Sequence, residues 1–102
     1  MLYDGALRFV AEAQAAVARN DIRGRVQAVT RALAIIAELQ NTLKIKEGGA
    51  VAEELDRLYS YIMMRLLDVS LKRDTGALDE VRKLLLPVRE AWAQTAAAPA
   101  PL

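Results

Sequence analysis

Neither cysteine nor histidine occurs in the chain. Without thiols there is no disulfide and no thiolate metal site, and nothing favours an oxidising compartment. Without imidazole the usual general base near neutral pH and the commonest metal ligand are missing. Carboxylates, Lys, Arg, Tyr and hydroxyls remain for chemistry. That weighs against an enzyme, so no catalytic, cofactor or metal site is expected. Only 5 glycines and 3 prolines are spread over 102 residues, and Asn and Ser are scarce, so turn chemistry is rationed and the chain can be almost wholly helical. A surplus of either charge is lacking too, since 14 basic residues face 13 acidic ones for a net +1. Nucleic-acid modules draw their affinity from a marked basic surplus, so no nucleic-acid partner is expected. No stretch reaches the roughly 18 uncharged apolar residues of a membrane span. Nor does the N-terminus show a basic stretch followed by an apolar run. These absences predict a cytoplasmic chain without membrane insertion.

What is present is apolar material, 54% against 26% charged residues, a balance that fits a globular core rather than disorder. The length suits one core and is too short for two. Apolar residues recur at the 3.6-residue period in segments of about 2–19, 22–46, 50–72 and 75–94, and the tail 95–102 has no core-facing pattern. Leu2, Ala6, Phe9, Ala13 and Ala16 make the first stripe, widened on its flank by Tyr3, Leu7, Val10 and Val17. Ile22, Val26, Val29, Leu33, Ile36 and Leu43 make the second. Val51, Leu55, Leu58, Ile62, Leu66 and Val69 make the third, and Leu78, Val81, Leu85, Val88 and Trp92 the fourth. Asp21 reads as an N-cap and Gly48-Gly49 as a helix stop. Pro87 predicts a bend rather than a break, because Val88 and Trp92 stay in register. Short breaks between long helices force neighbours antiparallel. The expected fold is therefore all-α, an antiparallel up-and-down four-helix bundle in a single domain over residues 1–94. The first segment is shorter than the second and third, which suggests a missing N-terminal turn.

Leu39, Leu43, Met63, Met64 and Leu67 are apolar residues beyond the narrow stripes. Core filling is one reading of them. The other is an adaptable helix-binding groove, for which the flexible thioether of methionine is suited. Tyr59 and Tyr61 are two apart and so point to different faces. They read as a core ring and a surface ring, or as one core ring and one that lines a groove. Arg65 either covers Tyr61 or pairs with a carboxylate of a neighbouring helix. Arg8, Arg19, Arg23, Arg25 and Arg31 read as a solvated face. Glu53 and Glu54 are helix-start charge, since adjacent helical residues diverge.

An ordered set of short motifs resembles one family. Leu2-Tyr3-Asp4-Gly5-Ala6-Leu7-Arg8-Phe9 opens a helix, and Asn20-Asp21-Ile22-Arg23-Gly24 enters the next. Leu33, Ile36 and Leu39 follow, then Gly48-Gly49 with Val51-Ala52 and Leu55, then Leu58-Tyr59 with Tyr61-Ile62 and Arg65-Leu66. Val88-Arg89-Glu90-Ala91-Trp92 closes the set. Over about residues 2–92 the chain resembles the flagellar secretion chaperone FliS family. The resemblance implies a cytosolic export chaperone that binds the disordered C-terminal segment of flagellin, prevents premature polymerisation and delivers subunits to the flagellar export gate. It implies that Leu39, Leu43, Tyr59, Tyr61, Met63, Met64 and Leu67 serve client binding. Family members carry a further segment before the Leu-Tyr-Asp-Gly-Ala motif, so an N-terminally truncated chain is expected. Apolar surface left uncovered by that truncation predicts a homo-oligomer or a helix swap. A helical self-assembly or scaffold domain without a client is the alternative.

Overall fold

Turn chemistry decides where each helix begins and ends. The computed structural model describes residues 2–43 and 45–97, with side chains for 2–43 and 49–88. Helix α1 spans Leu2–Ala18, α2 Ile22–Asn41, α3 Ile45–Leu71 and α4 Gly76–Ala97. Asn20 closes α1 in a left-handed conformation (φ 58°), its N–H donating to Val17 O at 3.1 Å while Asp21 N–H donates to Ala16 O at 2.8 Å. This double bond to orphan carbonyls is the Schellman pattern. Asp21 then caps α2, its Oδ1 accepting from Gly24 N–H at 2.9 Å. Gly24 leaves room for that carboxylate, since a Cβ there would stand 2.3 Å from Asp21 Oδ2.

Helix α2 stops at Asn41 rather than continuing to Lys46. The Thr42 hydroxyl donates to Leu39 O at 2.7 Å, and Leu43 N–H donates to Gln40 O at 3.2 Å. A side-chain bond back to the helix competes with its ladder, and the last turn tightens. Helix α3 accordingly starts at Ile45, ahead of the predicted residue 50. The glycine pair does break the helix, but inside α3: Gly49 has φ 60° and ψ −136°, joining a short leading piece to the long helix. Helix α4 runs through Pro87 without a break. The expected core anchor Trp92 and the tail beyond Ala97 lie outside the described residues and side chains.

Each helix touches two others in a ring: α1 packs on α2 and α4, and α3 packs on α2 and α4. Neighbours are antiparallel. Early α1 meets late α2, where a Cβ at Gly5 would stand 3.1 Å from Ile35 Cδ1. Late α2 meets early α3, where Gln40 bonds Asp56 and Ser60. The chain is a four-helix bundle, and no strand occurs among the described residues.

The core differs from the predicted stripes in an instructive way. Tyr3, Ala6, Val10, Ala13 and Ala16 are the buried residues of α1, while Leu2 is exposed and Phe9 half-buried. On α2 the buried residues are Ala28, Val29, Ala32, Ile36 and Leu39, while Ile22 and Val26 face solvent. Small side chains let two helices approach closely, so the alanine-rich faces of α1 and α2 seal against each other and the larger aliphatics turn aside. Helix α3 buries Tyr59, Ile62, Leu66 and Val69 but exposes Val51, and α4 buries Ala77, Leu78, Val81 and Leu85.

Candidate functional site

Among the described residues the seam between α2 and α3 is furnished with exposed apolar side chains, and its placement follows from the two flanks of α2. Toward α1 point Gly5's neighbour Ile35 and Arg31, whose Cζ lies 5.7 Å from the Phe9 ring centroid. Toward α3 points Gln40, whose Nε2 donates to Asp56 Oδ1 at 2.9 Å and to Ser60 Oγ at 2.8 Å. Leu33, Val26 and Ile22 recur behind Gln40 at helical spacing and therefore share its flank. On α3, steps of three and four lead from Asp56 and Ser60 through Met63 and Met64 to Leu67 and Leu71. Gln40 pins one end of this seam with polar bonds. Beyond it the two apolar lines run side by side toward the α3–α4 turn.

Exposure decides which of these side chains a partner could reach. Met64 is 50% exposed, Leu67 45% and Leu71 77%, with Val26 at 41% and Ile22 at 65% on the facing helix. Leu33 and Met63 are half-buried against the core at the floor of the seam. Fully exposed single aliphatics are ordinary, whereas five on two adjoining helix flanks form a patch that water covers at a cost.

The residues nominated from sequence divide. Leu39 and Tyr59 lie in the core, where the Tyr59 hydroxyl bonds that of Tyr3, and Leu43 is half-buried against the same core. Burial raises the Tyr59 phenol well above its ordinary value, with the Tyr3 hydrogen bond acting the same way. Met63, Met64 and Leu67 are brought together in the seam. Tyr61 is exposed on the opposite flank of α3, toward α4, and its hydroxyl donates to Glu80 Oε2 at 2.7 Å. Ile22, Val26 and Leu71 were missed as surface residues. The signal that could have found Ile22 and Val26 is the repeated alanine line on α1 and α2, which marks the true core face.

Tyr61 belongs to a polar clamp centred on Arg65. The Arg65 guanidinium donates to Glu80 Oε1 at 2.6 Å, to Asp68 Oδ2 at 2.8 Å and to Asp74 Oδ2 at 3.0 Å. Arg65 therefore pairs with carboxylates of its own helix, of the α3–α4 turn and of α4. Its hydrogen bond, followed by that from Tyr61, holds the Glu80 carboxyl below its ordinary range. The same bond from the Glu80 side raises the Tyr61 phenol. With each of its three nitrogens bonded to a carboxylate, the Arg65 guanidinium ties α3 to the α3–α4 turn and to α4. No cluster of acidic residues fit to hold a metal ion occurs among the described residues, and no described helix is long and apolar enough to cross a membrane.

Comparison with known proteins bears on what this surface serves. The model of the family described as flagellar protein FliS matches residues 1–99. The flagellar secretion chaperone FliSB of Pseudomonas aeruginosa is 38% identical over 92 residues, which are 90% of this chain and 73% of that protein. The flagellar secretion chaperone FliS of Campylobacter jejuni is 40% identical over 92 residues, 90% of this chain and 72% of the relative. That of Salmonella typhimurium is 36% identical over 95 residues, covering 92% and 70%. With a family match along almost the whole chain and relatives this similar, the chain belongs to the FliS family and is a flagellar secretion chaperone.

Proposed function

We propose that the α2–α3 seam holds the export cargo, and that the cargo is the disordered C-terminal segment of flagellin, which folds as a helix along Ile22, Val26, Leu33, Met63, Met64, Leu67 and Leu71. The observation that carries this reading is the facing pair of exposed apolar lines on α2 and α3. An amphipathic helix laid in such a groove buries its apolar face, and two methionines at the floor and rim can repack around it. Covering about 1,000 Å² of apolar surface is worth roughly 25 kcal/mol gross at the usual area coefficient. Ordering the segment and losing its free motion offset most of that, which leaves a complex tight enough to hold and loose enough to release. Occupied this way, the segment is unavailable for polymerisation until the complex reaches the export gate. The reading places the chain in the cytoplasm, as a single domain over residues 1–94 that carries out no catalytic step.

Calorimetric titration with a peptide from the C-terminal segment of flagellin tests it. The expected result is saturable heat with a gain of helicity in the peptide, and a loss of about tenfold or more in affinity for Leu67→Glu. Unchanged affinity in Leu67→Glu and Met64→Glu would move the cargo off this seam. The same apolar lines would also serve a second copy of the chain. Light scattering that gives a mass rising with concentration, abolished by Leu67→Glu, would favour self-assembly or helix exchange as the use of this surface.

A further inference from the structure

The α2–α3 seam is apolar along most of its length and polar at one end, and three side chains build that end. The Gln40 carboxamide lies across the gap between the helices. Its Nε2 donates to Asp56 Oδ1 at 2.9 Å, to Ser60 Oγ at 2.8 Å and to the Asp56 main-chain oxygen at 3.3 Å. Two hydrogens serve three acceptors, so the donors of this group are used up. An excess of acceptors remains. Among the described residues no donor other than Gln40 meets the Asp56 carboxylate, and none meets Gln40 Oε1. Gln40 and Asp56 are half-buried and Ser60 is exposed. Oxygens without a protein donor depend on solvent, and an apolar side chain laid over them strips that solvent and returns no hydrogen bond.

We infer that the Gln40–Asp56–Ser60 bridge is a stop that sets the length and register of the cargo helix, an inference that rests on the seam being the cargo site. The apolar lines run from Met63 to Leu71 on α3 and from Leu33 to Ile22 on α2. At 1.5 Å per residue they are about 12 and 16 Å long, or roughly two to three helical turns. A cargo helix with an apolar line of that length finds apolar partners throughout. One whose line continues a turn farther must set an aliphatic side chain on the bridge. The cargo that fits therefore carries about three apolar anchors at helical spacing and, at the bridge end, a polar side chain with a hydrogen to donate. Polar groups left unpaired reject a wrong residue more sharply than the fit of one methylene does. Met63 and Met64 can repack around different anchors, so selectivity enters at the bridge.

Calorimetric titration of the full chain with three peptides separates the stop from the seam itself. One peptide is the C-terminal segment of flagellin. In the other two, the polar residue one turn before or one turn after its apolar line is replaced by leucine. The peptide whose new leucine meets the bridge is expected to bind about tenfold more weakly than the unsubstituted one. In Gln40→Leu that difference between peptides disappears, a change that loss of a merely structural bond would not produce, since it would weaken all three alike. Circular dichroism confirms the fold, and Ser60→Leu, at an exposed position, abolishes the difference in the same way should Gln40→Leu unfold the chain. Equal binding of all three peptides, or a difference of the same size in the folded variant, overturns the stop and leaves the seam standing. No binding of the unsubstituted peptide removes both.

Discussion

On its α1 side, helix α2 presents Ala28 and Ala32 to the small residues of α1, and the contact is closed to solvent. On its α3 side the same helix presents Ile22, Val26 and Leu33 beside Met64, Leu67 and Leu71, and most of that surface stays open. Both flanks are apolar, so hydropathy alone cannot tell them apart. Size separates them: alanine allows close approach and complete burial, while bulkier side chains on the next flank hold the helices farther apart and remain accessible. The closed flank secures the fold, and the open one is where the proposed cargo would lie.

The sharpest way to break this comparison is to empty the shared core or to enlarge the closed side. Leu66 is fully buried, and Leu66→Ala should cost about 2–5 kcal/mol through lost burial and the cavity left behind. Ala32→Leu drives extra methylenes into the α1–α2 contact and should cost about 1–3 kcal/mol. Denaturant titration reads both. An Ala32→Leu variant as stable as the parent would mean that the α1–α2 approach is looser than the burial of its alanines implies.

How far the sequence discloses the molecule can be judged at particular residues. Asp21 as a cap, the four helices and the divergence of Tyr59 from Tyr61 follow from local rules that need only near neighbours. The end of α2 does not, because the periodic pattern continues through Leu43 while the Thr42 hydroxyl diverts the backbone. The core face of α1 and α2 was misplaced for a different reason. Ranking by hydropathy favours Ile22 and Val26 over Ala28 and Ala32, yet the choice is made by how closely the neighbouring helix can come. Tyr61 was nominated as a groove residue, but its partner Glu80 lies on another helix and no spacing within α3 could announce it.

A smaller effect is expected at the entry to α2. Replacing a helical glycine by alanine ordinarily stabilises by about 1 kcal/mol. At Gly24 the added Cβ would meet the capping carboxylate of Asp21 at 2.3 Å, so the cap must shift and the gain is cancelled or reversed. Gly76→Ala is the control, since a Cβ there has ordinary contact at 3.6 Å. If Gly24→Ala raises Tm as much as Gly76→Ala does, the Asp21 cap contributes nothing.

The polar clamp on the other flank of α3 makes the comparison sensitive to acid. Glu80 is held below its ordinary 4.5 by Arg65 and then Tyr61; Asp79 below 3.8 by Arg82 and then Lys83; and Asp21 below 3.8 by Gly24 N–H and then Arg19. Depressed folded values mean stability that is fully present above the unfolded values and lost as pH falls through the folded ones. Tm should therefore stay level from neutral pH down to about 5 and fall progressively below about 4.5. Glu80→Gln should lower Tm at neutral pH and flatten the acid limb. An acid limb unchanged in Glu80→Gln would show that the Arg65 clamp does not couple to folding.

The least change in stability is expected on the open flank, and there a near-zero result is the informative one. Leu67 and Leu71 are 45% and 77% exposed, so truncation to serine removes little buried area and should move stability by no more than about 0.5 kcal/mol. The contrast with Leu66→Ala, one residue away on the same helix, then measures how sharply α3 divides its bundle face from its free face. Should Leu67→Ser cost as much as a core substitution, the side chain must be covered in solution. A second copy of the chain lying over the seam would do that, and the loss would then diminish on dilution, because a contact between copies depends on concentration while one within the bundle does not.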